Sequence, residues 1–323
     1  MSNNTVTLKT IANKLGISTN AVSKALRNCD DISEQTKLKV REVAKELGYV
    51  PNSMASNMRK KDTKIIALVY NDFYNPYFSI FCEKTFHNLK SKGYQCQLIY
   101  SDTSIMTMHD IENILINNFS AVISFVEPTL EISELFKKRG IPFVLIGINS
   151  KTPYIDCIYT DDILGGKLVG EYFVSSSYQK SLYITNSVSE TSYRRYLGFS
   201  TAINGSNKNC EFIPYQEHEN ILKIALHKVI KDGFDFVFCF SDSLAIQFKN
   251  YLKQNGYRNS VKIFGYDNLN KYYPLIQKIS TIDSDMLEII EFSCNYVIDK
   301  ASGKIDKNTY ISKMFPTYLS VFK

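Results

Sequence analysis

Leu8-Lys9-Thr10-Ile11-Ala12-Asn13-Lys14-Leu15-Gly16-Ile17-Ser18-Thr19-Asn20-Ala21-Val22-Ser23-Lys24-Ala25-Leu26 carries two short helical patterns around a glycine. Leu8, Ile11, Ala12 and Leu15 recur at i, i+3, i+4 and i+7, which predicts one buried helix face. Gly16 suits the left-handed turn that ends a helix, and the Ser18 hydroxyl can cap the next one. The second helix then turns Val22, Ala25 and Leu26 inward and leaves Thr19, Asn20, Ser23, Lys24 and Arg27 as a polar stripe. A third helix is predicted from near Ser33, carrying Val40, Val43, Ala44 and Leu47 until Gly48 stops it. Two helices around a three-residue turn, braced by a third, describe a helix-turn-helix unit.

The charge distribution says what this unit is for. The chain has 323 residues and a net charge of +6. Residues 1–61 hold 11 Lys and Arg against 5 Asp and Glu, while the remaining 262 residues hold 27 of each. All the excess positive charge therefore lies in the first fifth, as expected of a polyanion-binding module joined to a neutral body. The DNA major groove admits one helix, whose outer stripe reaches base edges; Asn20 can pair with an adenine and Lys24 can donate to a guanine. The Thr7, Ser18 and Ser23 hydroxyls and Arg27 suit phosphates, which position a protein without reading sequence. A merely solvated helix face would show the same stripe, but it would not concentrate the charge.

From residue 65 the pattern becomes apolar runs alternating with amphipathic stretches. Strands are predicted at 65–70, 95–100, 121–126, 142–146, 181–185, 234–240 and 261–265, which implies a parallel sheet layered by helices. Some 260 residues exceed one open sheet, so two lobes are expected. Ligands of such sheets sit beyond the carboxyl ends of strands. There the sequence places Asp72, Asn75-Pro76-Tyr77-Phe78, Ser241-Asp242 and Tyr266-Asp267-Asn268, with Thr191 and Arg195 opening a helix. Rings, one Arg and one Asp suit a small hydroxyl-rich molecule. Duller roles compete: Asp162 and Asp242 read best as helix N-caps, while a turn at Asn75-Pro76 and a surface position for Arg195 stand as alternatives to ligand contact.

Composition removes other classes. At 44% hydrophobic and 22% charged residues the chain is neither disordered nor fibrous, and no apolar run reaches the length of a membrane span. The start of the chain lacks a secretion-signal pattern, so a cytoplasmic protein is expected. Its seven cysteines form no Cys-x-x-Cys pair, and His87, His109, His218 and His227 have no partners at ligand or catalytic spacing. There is no Gly-x-Gly-x-x-Gly and no phosphate-binding Gly-Lys-Ser/Thr. No catalytic residues, metal site or cofactor are expected.

Thr7-Leu8-Lys9-Thr10-Ile11-Ala12, Leu15-Gly16-Ile17-Ser18, Ala21-Val22-Ser23-Lys24-Ala25-Leu26 and Leu47-Gly48-Tyr49-Val50-Pro51-Asn52 resemble, in order and spacing, the headpiece of the lactose-repressor/galactose-repressor (LacI/GalR) family. Asp72…Asn75-Pro76-Tyr77-Phe78, Arg195-Tyr196-Leu197-Gly198-Phe199, Asp242-Ser243-Leu244-Ala245 and Gly265-Tyr266-Asp267-Asn268 extend the resemblance over nearly the whole chain. It implies an N-terminal all-α helix-turn-helix headpiece (1–50), a hinge helix (51–61) and an α/β two-lobed, periplasmic-binding-protein-like effector domain (62–323). One lobe would span 62–160 and 285–308, the other 161–284 and 309–323. By the resemblance Thr19, Asn20 and Lys24 read bases, and Tyr49, Asn52 and Ala55 join the DNA-binding set. Met58 stands where the family's hinge inserts a Leu into the minor groove. Arg195 and Asp267 match residues that hold the effector, Tyr77 and Phe78 a stacking loop, and Asp72, Ser241 and Thr191 lesser contacts. Thr10 replaces the family's usual Asp, Lys24 the commoner Arg, and Gly147 an Asp common in sugar-responsive members.

These observations lead to the expectation of a dimeric repressor, with a tetramer open, that binds a pseudo-palindromic duplex operator and answers to a sugar-like effector. The alternatives are control by a protein or phosphorylated co-regulator, or by a non-sugar metabolite such as a purine. An enzyme built on the two-lobed body lacks the necessary side chains, and no membrane partner is expected.

Overall fold

The computed structural model describes residues 6–49, 63–215, 220–257, 261–274 and 276–322. The chain divides into two compact units, residues 1–61 and 62–323. Among the described residues no helix is long and apolar enough to cross a membrane.

In the first unit α1 (Leu8–Leu15), α2 (Thr19–Leu26) and α3 (Glu34–Glu46) enclose Ile11, Ala12, Val22, Ala25, Val40 and Ala44. So small a core needs well-made helix ends. Ser18 accepts from the Ala21 N–H at 3.1 Å, and Ser33 caps α3 through the Thr36 N–H. Gly16 takes φ +66°, the left-handed conformation expected of it. At α1 the caps are reciprocal: Thr7 accepts from the Thr10 N–H, and the Thr10 hydroxyl accepts from the Thr7 N–H at 3.1 Å. A hydroxyl thus does at Thr10 what the expected Asp would do.

The second unit is built from βα repeats. A six-stranded sheet has the order Ser312–Phe315 (β13), Asp156–Thr160 (β7), Phe143–Ile146 (β6), Ala121–Ser124 (β4), Ile65–Tyr70 (β1) and Gln95–Tyr100 (β2). A four-stranded sheet has the order Lys262–Phe264 (β11), Phe236–Cys239 (β10), Lys180–Ile184 (β8) and Asn209–Ile213 (β9). Every pairing within these two sheets is parallel. Helices cover the faces, including α4 (Pro76–Ser91), α7 (Asp162–Ser175), α8 (Glu190–Ile203), α10 (Asp242–Gln254) and α12 (Met286–Ala301). All seven expected strands are present; the first two have the expected bounds, and the other five are trimmed or shifted by one or two residues at their ends.

The chain passes between the lobes three times: after β7, between β12 (Thr281–Asp283) and α12, and between β13 and β14 (Tyr318–Ser320), which pairs antiparallel with β12. The expected return to the second lobe at residue 309 is therefore too early. Ser312–Phe315 pairs with β7 in the first sheet, and only then does the chain cross. Ser312, Lys313 and Met314 are exposed and only Phe315 is buried, so this edge strand carries no apolar run to announce it.

Two features hold the lobes in shape. In the first, Lys300 and Asp156 are fully buried and joined at 2.6 Å, with the Tyr296 hydroxyl and the Ile311 N–H also donating to Asp156. Each remaining polar atom has a partner, which is what lets a buried pair persist. In the second, α7 and α8 meet backbone to backbone. A Cβ on Gly166 would lie 1.9 Å from the Arg195 carbonyl oxygen, and one on Gly198 1.9 Å from that of Ile163. No side chain fits at either position, and the close crossing brings the start of α7 against the middle of α8.

Candidate functional site

On the headpiece, α2 presents the expected stripe. Thr19 and Asn20 are exposed, and among the described residues neither side chain has a partner. Ser18 is occupied as a cap, and Thr7 in the reciprocal cap of α1. The Arg27 Nε–H donates to the Ser23 carbonyl at 3.2 Å, folding the guanidinium back along its helix. Lys24 is ion-paired with Asp31 in the turn after α2. Tyr49 packs partly buried against the headpiece core, and desolvation raises its phenol above the ordinary tyrosine value. Asn52, Ala55, Met58 and the hinge segment 51–61 lie outside the described residues, as does His218.

In the second unit the site is assembled around Arg195, which the α7–α8 crossing places one helix away from Asp162. Arg195 Nε–H donates to Asp162 Oδ1 at 2.9 Å, and its Nη1 donates to the Phe240 carbonyl at 2.6 Å. Its other terminal nitrogen lies 4.0 Å from Asp267 Oδ1. The guanidinium stacks 3.5 Å over the Tyr266 ring, with the Phe240 ring 4.8 Å away. Arg195 is 7% exposed, so it is not a surface arginine. Burial alone would pull the guanidinium pKa down, but Asp162, Tyr266 and Asp267 raise it, so it stays charged. Burial pushes the Asp162 and Asp267 carboxyls up, with Arg195 opposing.

Asp162 and Asp242 are not N-caps. Asp161 caps α7 and Ser241 caps α10, each one residue earlier than expected. The shift turns both following carboxylates inward. Asp162 takes Arg195, while Asp242 accepts from the Thr281 hydroxyl at 2.6 Å and the Leu269 N–H at 2.8 Å. Those bonds tie down the turn that carries Asp267, whose φ of +110° is a strained value for a residue with a side chain. The Asp267 N–H donating to the Ile282 carbonyl at 2.8 Å and the Asn268 N–H donating to Thr281 complete the clamp. Asp242 therefore positions Asp267.

Asp242 is pushed up to about 7 from 3.8, chiefly by burial, with Thr281 and Leu269 pulling the other way. A folded value above the unfolded one means that the native chain keeps the extra proton between roughly pH 4 and pH 7, so this group lowers stability as pH rises through that window. Asp242→Asn is expected to flatten that fall. The check is the unfolding midpoint of the second unit at pH 5 and pH 8 in both proteins, and identical pH dependence would count against the assignment.

The first lobe faces this cluster with rings. Tyr77 and Phe78 meet edge to face at 5.5 Å, and Phe125 lies 4.9 Å from Phe78 and 4.8 Å from Phe81. Burial of the Tyr77 phenol, then the charge of Asp267, hold it protonated far above the ordinary value; Arg195 opposes them. The charged groups of the second lobe thus act on the Tyr77 phenol. Thr191 is half-buried in the first turn of α8. Two expected ligand contacts are engaged elsewhere. Asp72 accepts from the Tyr74 and Asn75 N–H groups at 2.7 and 3.1 Å, which shapes the loop before α4. Ser241 is 2% exposed with its hydroxyl accepting from the Leu244 N–H, so it shapes α10. Phe125 and Phe240 were missed from the sequence, although each directly follows the last residue of a strand, where the ligand rule already pointed.

Among the described residues no group of His, Cys, Asp and Glu could hold a metal ion. The arrangement can bind, through one charged fork, two carboxylates and several ring faces.

Known proteins agree with both halves of this description. Residues 7–52 match the family model for bacterial regulatory proteins of the lacI family, and residues 63–300 match that for periplasmic binding proteins and the sugar binding domain of the LacI family. The sucrose operon repressor of Lactococcus lactis subsp. lactis is 24% identical over 313 residues, covering 94% of this chain and 96% of that one. The HTH-type transcriptional repressor PurR of Mannheimia succiniciproducens is 23% identical over 320 residues, covering 94% and 95%. The crystal structure of the lac repressor dimer bound to operator and the anti-inducer ONPF superposes with a TM-score of 0.77 at 18% identity, over 97% of each chain. With its family models covering the headpiece and most of the two-lobed body, the chain belongs to the LacI family of bacterial transcriptional regulators.

Proposed function

We propose that this regulator is a cytoplasmic homodimeric repressor whose α2 helices read the half-sites of a pseudo-palindromic operator, and whose inter-lobe site takes a neutral, hydroxyl-rich effector such as a sugar. Thr19 and Asn20, exposed and without partners among the described residues on the outer stripe of α2, within the unit that holds all the excess positive charge, carry the DNA-binding part. In this reading Thr19, Asn20 and Lys24 face bases, while Thr7, Ser18, Ser23, Arg27 and Tyr49 face the backbone. Asn52, Ala55 and Met58 belong to the hinge. Dimerisation is supported by the edge strand β2, whose Leu98 and Tyr100 are half exposed. Operators of two-fold symmetry fit paired headpieces.

Charge supports a neutral effector. Arg195 already has two of its donors engaged and lies among the buried carboxylates of Asp162 and Asp267. A phosphate there would meet two negative groups and one committed guanidinium. Hydroxyls can instead donate to Asp267, and an apolar sugar face can rest on Tyr77, Phe78 and Phe125. The same ring faces favour a purine as the second reading. For an effector to regulate, it must bind one conformation better than the other.

Two measurements test this. Thermal-shift screening should show stabilisation by a neutral mono- or disaccharide and none by its phosphate ester. Stabilisation by purine bases alone would select the second reading, and by neither class would favour a protein co-regulator. Selection of bound duplexes from a randomised library should return a pseudo-palindrome. Lys24→Ala is then expected to flatten preference at one base pair per half-site, a loss of about 1–3 kcal/mol. A uniform loss on all sequences would make Lys24 a phosphate contact.

A further inference from the structure

Of the three α2 residues expected to read bases, Lys24 is the one that is engaged among the described residues. Lys24 lies in the last turn of α2, and its ammonium is paired with the carboxylate of Asp31, which stands in the Asn28–Ser33 turn leading into α3. Asp31 is 53% exposed, so this acidic group sits on the surface of the DNA-binding unit beside a residue expected to touch bases. A lysine is a compact charge on a flexible stem, and unrestrained it would be drawn to the nearest phosphate as readily as to a base. Phosphate contacts add affinity for every sequence alike.

We propose that Asp31 is a specificity-determining residue of the headpiece: it holds the Lys24 ammonium away from phosphates, so that a correctly placed base acceptor wins it. This rests on the DNA-binding reading above. An exposed ion pair is weak, so base contact can exchange it. The carboxylate also repels phosphates that approach Lys24 without a base partner. Neighbouring Asp30 is exposed too but holds no cation among the described residues, which makes it the internal control.

The test compares the full-length chain with Asp31→Asn, Asp30→Asn, Lys24→Ala and the Lys24→Ala/Asp31→Asn double variant. Binding to a random-sequence 30-bp duplex is measured across a salt series, and base preference by selection from a randomised library. Asp31→Asn is expected to tighten random-duplex binding about two- to fivefold, the range an exposed ion pair supports. It should steepen the log–log salt slope by up to ~0.9, one added phosphate contact, and flatten preference at the base pair read by Lys24. All three effects should vanish in the Lys24→Ala background. An equal gain in Asp30→Asn, or an undiminished gain without Lys24, would reduce Asp31 to general charge and overturn the proposal. A wild-type chain that binds no duplex even at low salt would instead overturn the DNA-binding reading and the proposal with it.

Discussion

Arg195→Met is expected to destabilise the two-lobed unit by about 3–5 kcal/mol, the cost of removing one partner from a buried ion pair. Methionine keeps an apolar stem over the Tyr266 ring, so packing is largely conserved. What disappears is the positive charge facing Asp162 and Asp267, which are 2% and 6% exposed. Burial already pushes both carboxyls up, and without Arg195 they rise further. The variant can relieve part of its loss by taking up protons, so the defect should be smaller at pH 5 than at pH 8. Arg195→Lys is expected to recover little, because an ammonium cannot reproduce the fork that joins Asp162 to the Phe240 carbonyl. Urea unfolding followed by circular dichroism measures the loss, and the effector-dependent change in DNA binding reports the function. A variant with wild-type stability and response would refute the central place given to Arg195.

Gly198→Ala is the second large effect. Its Cβ would have to sit 1.9 Å from a backbone oxygen of α7, which cannot swing aside as a side chain would. The helices must separate, and overpacking of this kind costs about 1–3 kcal/mol or more. The better helix propensity of Ala returns at most about 1 kcal/mol. Because Arg195 lies one turn earlier on the same helix, separation also lengthens its bond to Asp162. The expected outcome is a lower melting temperature together with a weakened effector response. Leu197→Ala, at a half-exposed neighbouring position on α8, should change both far less. Equal behaviour of the two variants would mean that the close crossing is not what holds the site.

The headpiece was legible residue by residue because everything that makes it lies within a few positions in sequence. Periodicity gave its helices, and Gly16, Ser18 and Ser33 end and start them as their chemistry requires. Buried strands announced themselves as apolar runs. The edge strand Ser312–Phe315 did not, since three of its four side chains face outward. The capping serine and aspartate before Asp242 and Asp162 compete for the same role with equal chemistry, and sequence offers no means of choosing between adjacent candidates.

Read alone, the chain settles its two-part organisation, the charge asymmetry that separates a DNA-reading unit from a neutral body, and the residue types available at strand ends. Which of those residues meet emerges only from packing. Arg195 finds Asp162 across 33 positions because glycines let two helices touch, and Asp242 finds Leu269 and Thr281 across 27 and 39. Lys24 meets Asp31 because the chain turns back after α2. Caps and periodic faces follow from contacts between near neighbours along the chain. Charge pairing, burial and the strained turn at Asp267 are set by distances that exist only after the helices and sheets have come together.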